Sequence, residues 1–148
     1  MAEFRTLRGF TAGAEASEPE RYAFSATLRV SGDDLDFAAI QAALGHSATS
    51  SYRKGHRRGP RSPEARHDMW QLASDLPEDR PLHEHIDRVW SQVRHATAFL
   101  IALKRSAKVD VFLGYSSNID HAGFEIPHTS LEIFRALEIP LGVSIVIV

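Results

Sequence analysis

The sequence predicts an α+β fold: a mixed, mostly antiparallel sheet with helices packed on one face, of ferredoxin-like character. Three stretches carry that expectation. Tyr22, Phe24, Ala26, Leu28 and Val30 alternate with Ala23, Ser25, Thr27 and Arg29, the period of two of a strand with one buried face. Leu82, Ile86, Val89, Trp90, Val93, Phe99, Leu100 and Leu103 recur at helical spacing. The last eight residues, LGVSIVIV, form a β-branched run that reads as a central strand.

Between these landmarks the elements follow in order. Ser31-Gly32 ends the first strand, and Asp36 is a suitable N-cap for a short helix because its carboxylate can accept from free first-turn amides. Leu35 and Ile40 occupy the two positions of a hydrophobic staple, and Gly45 can stop the helix in a left-handed conformation. A long connection follows, His46 to Arg66, with Gly55, Gly59, Pro60 and Pro63 opposing regular structure over most of it. HDMWQLAS (67–74) reads as a second strand with Trp70 and Leu72 inward. The helical stripe from Leu82 slips near Ala96-Thr97, which predicts a kink or break. Val109, Val111 and Leu113 predict a third strand, residues 114–121 a polar loop, and Gly123 to Ile126 a short fourth strand. Thr129 and Glu132 match a capping box for a last helix that Pro140 terminates.

With 148 residues, 43% of them hydrophobic, the chain is expected to fold as one domain over residues 22–148 behind a flexible tail, residues 1–21. The absence of cysteine excludes disulfides, thiol catalysis and thiolate metal sites. No signal-peptide pattern and no apolar run near the roughly 20 residues of a membrane span are present, so the expectation is a cytoplasmic protein without a membrane partner.

Charge is distributed unevenly. The net charge is −2, yet Arg53, Lys54, Arg57, Arg58, Arg61 and Arg66 face only Glu64 within residues 52–66, leaving that stretch at +5. The remainder holds eleven basic against eighteen acidic residues, or −7. Arginine forks match carboxylates and phosphates, and a glycine-containing loop lets backbone approach an anion. A protein or small anionic partner is therefore expected at Arg53, Lys54, Arg57 and Arg58, with Trp70 as a neighbouring aromatic. Scarce interleaved aromatics argue against nucleic acid. A homodimer through sheet or helix surfaces stays open.

Other clusters read as architecture. Asp33, Asp34 and Asp36 lack the ligand spacing of a calcium loop. His83 and His85 miss the i, i+4 spacing that puts two ligands on one helical face, and His67, His95, His121 and His128 are scattered, so no metal or cofactor is expected. Asp120 and His121 could orient a general base, but no nucleophile motif accompanies them. The alternative to a binding domain is thus a small hydrolase or transferase using the His121 loop, with the basic loop as its lid.

Gly32-x-x-Leu35-Asp36-x-x-x-Ile40, Leu44-Gly45, Thr49, Lys54-Gly55 and Trp70-x-Leu72, with the later Gly123-Phe124, the helix beginning at Thr129 and the branched last strand, resemble the small bacterial proteins catalogued as domain of unknown function 4279. The resemblance covers roughly Tyr22 to Val148. It implies no catalytic residues, since none are established for that family. Some such domains sit among candidate immunity proteins of toxin systems, and the resemblance extends that context to this chain.

Overall fold

The computed structural model describes residues 18–148, so most of the expected tail, residues 1–17, lies outside it. Eleven-residue β1 (Tyr22–Gly32) leads to α1 (Phe37–Leu44). Then come β2 (Ser50–Tyr52), β3 (Asp68–Ala73), and α2 (Leu82–Val93), joined by a 3-10 turn at Arg94–Ala96 to α3 (Thr97–Leu103). The chain finishes with β4 (Lys108–Ser117), a 3-10 turn at His128–Leu131, α4 (Glu132–Leu137) and β5 (Gly142–Ile147). The strands make one sheet in the order β2-β3-β1-β4-β5. All neighbours are antiparallel except β4 and β5.

β1 sits at the centre because it is long enough to pair on both sides. Leu28 lies opposite Leu72 on one flank and Val111 on the other. Its inward residues Ala26, Leu28 and Val30 are fully buried, together with Trp70, Leu113, Ile86 and Val93. Every helix contributes to the same cluster, through Ile40 and Leu44, Ile86 and Val89, Leu100, and Ile133 and Leu137. The opposite sheet face carries Thr27, Arg29, Gln71, Asp110 and Phe112, and no helix among the described residues covers it. The result is an open-faced α+β sandwich.

The local signals of α1 hold in full. Asp36 accepts from the Ala39 amide at 3.0 Å, Leu35 and Ile40 are both buried, and Gly45 adopts φ 70°. The helical stripe from Leu82 breaks at Arg94–Ala96, one turn of tighter helix that reorients α3.

Four expectations are corrected. Gly123 to Ile126 is not a strand: Phe124 packs by its ring against Phe24 and Tyr115, without a ladder. Residues 114–121 are not all loop: Gly114–Ser117 continue β4 and pair with Tyr22–Ser25, whereas the long connection is irregular over most of its length, with the three-residue strand Ser50–Tyr52 paired to Met69–Gln71. The capping box at Thr129 does not form; a 3-10 turn precedes α4, and its start has no side-chain cap. Among the described residues β5 is an edge strand, not a central one, and pairs only with β4. An all-apolar run signals burial on both faces, but here Ile145 and Ile147 lie beyond the helical cover, 62% and 76% exposed.

Candidate functional site

The basic segment is an ordered loop hung from one carboxylate. Asp68 opens β3 at an inward position, in the same register as Trp70 and Leu72, and is buried. A carboxylate there must be satisfied by donors. Its Oδ1 accepts from the Lys54 amide at 2.8 Å, and its Oδ2 from the Leu35 amide at 3.0 Å and Arg53 Nη1 at 2.9 Å. The Lys54 amide foremost, then the Arg53 guanidinium and the Leu35 amide, hold the Asp68 carboxyl below the usual carboxylate range, against the opposing effect of burial. Arg53 also donates to the Leu35 carbonyl at 2.7 Å, and its guanidinium lies 3.8 Å from the centre of the Phe37 ring. One side chain thereby ties the entry of α1 to the start of the loop.

Beyond Lys54 the two arms of the loop bond to each other. The Gly55 amide donates to the Ala65 carbonyl, and the Ala65 amide to the His56 carbonyl, both at 2.8 Å. Gly55 adopts φ 91°, a backbone that side-chain-bearing residues rarely take. His56 stacks on Tyr52 with ring centres 5.5 Å apart. At the tip, Arg57 donates to Glu64 at 3.0 Å and to the Ser62 carbonyl.

The five predicted contact residues therefore separate. Arg53 is exposed, but it is engaged as a brace to Asp68 and the Leu35 carbonyl. Arg57 is exposed but paired with Glu64. Lys54 and Arg58 are exposed with no side-chain ion pair among the described residues, as are Arg61 and Arg66, which the sequence reading had left out of the contact set. Trp70 is corrected outright: at 0% exposure it is a core residue pointing under the helices, and it cannot meet a partner. Asp68 was the residue missed. The signal was present, because an acid at the inward position of an alternating strand requires a cation and amides to receive it.

Asp120 and His121 are both exposed, and no hydrogen bond joins them. They follow the end of β4 that pairs with Tyr22, whereas the basic loop enters β3 opposite Gly32. Ten residue steps of extended strand separate Tyr22 from Gly32, about 33 Å. Clefts formed by described residues include those beside Arg21 and Val148, beside Lys104 and Phe112, beside Phe24 and Phe124, and beside Gly32 and His67. None is lined by Asp120, His121 or an arginine of residues 53–66. The basic loop and His121 thus lie toward opposite ends of β1.

On the bare sheet face, Arg29 forms a two-pronged ion pair with Asp110 at 2.8 and 2.7 Å and rests 4.9 Å from the Phe112 ring centre. That pair is internally neutral. Among the described residues no three His, Asp or Glu side chains group as a metal-ligating set, and no helix is long and apolar enough to cross a membrane.

No curated protein and no solved structure matches the chain. A family model described as domain of unknown function (DUF4279) matches residues 21–147, nearly the whole of the described fold. The chain belongs to that family.

Proposed function

We propose that the protein is a non-enzymatic binding domain that recognises an acidic partner, a protein surface or a small anion, through the rim of the basic loop. The observation that carries this reading is the contrast within the loop. Arg53 and Arg57 are spent on the domain's own oxygens, while Lys54, Arg58, Arg61 and Arg66 project from a hydrogen-bonded scaffold with no carboxylate partner among the described residues. A scaffold braced at Asp68 and at Gly55–Ala65 holds those cations in place before a partner arrives, which lowers the ordering cost of binding. An immunity-type role, in which such a domain covers an acidic surface of a toxin, is one instance.

The test uses oligoglutamate, inorganic phosphate and a single-stranded oligonucleotide as probes, titrated against the protein and against a Lys54→Ala/Arg58→Ala variant. Oligoglutamate or phosphate binding that the variant weakens supports the reading. Equal binding by the variant removes the loop from the site. Binding of the oligonucleotide alone, with a steep salt dependence, replaces the acidic partner by nucleic acid.

A further inference from the structure

At the far end of the sheet from the basic loop, a cleft of about 380 Å3 opens between the start of β1, the start of α2 and the 123–127 segment. That volume lies at the lower end of the range for small-ligand sites. Three of its walls are aromatic: Tyr22, Phe24 and Phe124. The rings form one continuous cluster. Phe24 meets Phe124 edge-on at 6.0 Å, Tyr22 lies 5.8 Å from Phe24, and Tyr115 backs Phe24 in a stack at 4.9 Å. The backing matters, because a ring held from behind keeps its place when a ligand meets its other surface.

The polar groups at this cleft are acidic. Asp79 and Glu125 line it, both exposed, and neither takes part in an ion pair among the described residues. Among the described residues no lysine or arginine lines it; Arg80, next in sequence, is held by Glu84 at 2.6 Å. His83 and the Tyr22 phenol are its other ionisable walls. Aromatic rings offer a negative π surface, and unpaired carboxylates add full charge, so an anion is repelled and a neutral apolar group leaves the carboxylates unused. Rings plus acids, without a competing cation, are the chemistry that recognises an organic cation.

We infer that the cleft bounded by Tyr22, Phe24, Phe124, Asp79 and Glu125 binds a small organic cation, an alkylammonium or guanidinium compound. This site is separate from the basic loop, and its ligand is of opposite charge, so either can fail without the other.

The experiment is a chemical-shift titration of the full chain at about pH 8, where an imidazole is ordinarily uncharged. The probes are choline, arginine amide, a lysine-rich peptide, and 3,3-dimethylbutan-1-ol as the uncharged isostere of choline. The inference expects shifts on Tyr22, Phe24 and Phe124 with a cation, and affinity for choline about tenfold or more above that for the alcohol. Asp79→Asn/Glu125→Gln should abolish the preference for the cation while leaving the spectrum otherwise folded. Equal binding of the alcohol and choline, or no shifts with either cation, overturns the inference. Shifts with a lysine-rich peptide but with neither small cation also overturn it, because the occupant is then a polypeptide.

Discussion

Arg53 Nη1 stands 2.9 Å from Asp68 Oδ2, and the same nitrogen reaches the Leu35 carbonyl at 2.7 Å. The most basic segment of the chain is therefore fastened by its first arginine to the start of β3 and the entry of α1. Asp68→Asn removes the charge and presents an amide that can accept at only one atom, where three donors converge. The expected outcome is faster hydrogen exchange at the Leu35 and Lys54 amides, by about tenfold or more, with the core amides of β1 changed less. Arg53→Lys should show the same pattern more weakly, since ammonium keeps the charge but loses the planar stack on Phe37. Unchanged exchange at Lys54 in Asp68→Asn shows that the carboxylate does not hold the loop.

The titration of stability has a definite direction. Burial foremost pushes the His85 imidazole below its ordinary 6.5, with the Arg80 and Pro77 carbonyls opposing. Asp68 and Asp75 are held below the ordinary 3.8, the second chiefly by its hydrogen bond from Arg88. A lowered pKa means that the unfolded chain binds the proton first, so stability falls as pH falls. His85 contributes nothing adverse above its unfolded value and costs stability progressively below it; the carboxylates act the same way below theirs. Urea midpoints should be level above about pH 7, decline below about 6.5, and decline again below about 4. His85→Leu should remove the first decline and keep the second. A first decline that survives in His85→Leu assigns it to another group.

Two left-handed positions make a paired test. Gly55 has φ 91° with open space where a Cβ would stand, so Gly55→Ala is strained by backbone alone. It should lower stability by about 1–2 kcal/mol. Glu138 closes α4 at φ 54°, with the next amide, Ile139, donating to the Phe134 carbonyl at 3.0 Å. That is the place where helices ordinarily put glycine, so Glu138→Gly should raise stability by about 0.5–1 kcal/mol. Chemical denaturation of both variants checks the opposite signs.

What the sequence disclosed follows the range of the interactions involved. The cap at Asp36, the staple of Leu35 and Ile40, and the stop at Gly45 each act within a few residues, and all three were legible. So was the inward register of Trp70 and Leu72, although reading Trp70 as a contact conflicted with that same register. The short strand Ser50–Tyr52 was not legible, because two serines and a tyrosine carry no apolar alternation. It pairs because β3 arrives from across a long loop and Asp68 gathers donors fourteen, fifteen and thirty-three positions away. The division of the arginines depends on the same distant carboxylate, so composition could locate the charge but not say which cations remain free.

The edge position of β5 has its own consequence. Its outer side has no neighbouring strand among the described residues, and Ile145, Val146 and Ile147 are 62%, 51% and 76% exposed. An apolar edge with open backbone donors and acceptors is a template for another strand, and the partner always present in a purified sample is a second copy. Sedimentation should show association that rises with protein concentration. Ile145→Lys places a charge on the exposed edge, and should reduce that association while changing stability by no more than about 0.5 kcal/mol. The near-neutral effect on stability follows because the side chain lies beyond the helical cover and removes no buried contact. Association that persists unchanged in Ile145→Lys locates the interface away from β5, with the bare face around Arg29 and Phe112 the next surface to charge.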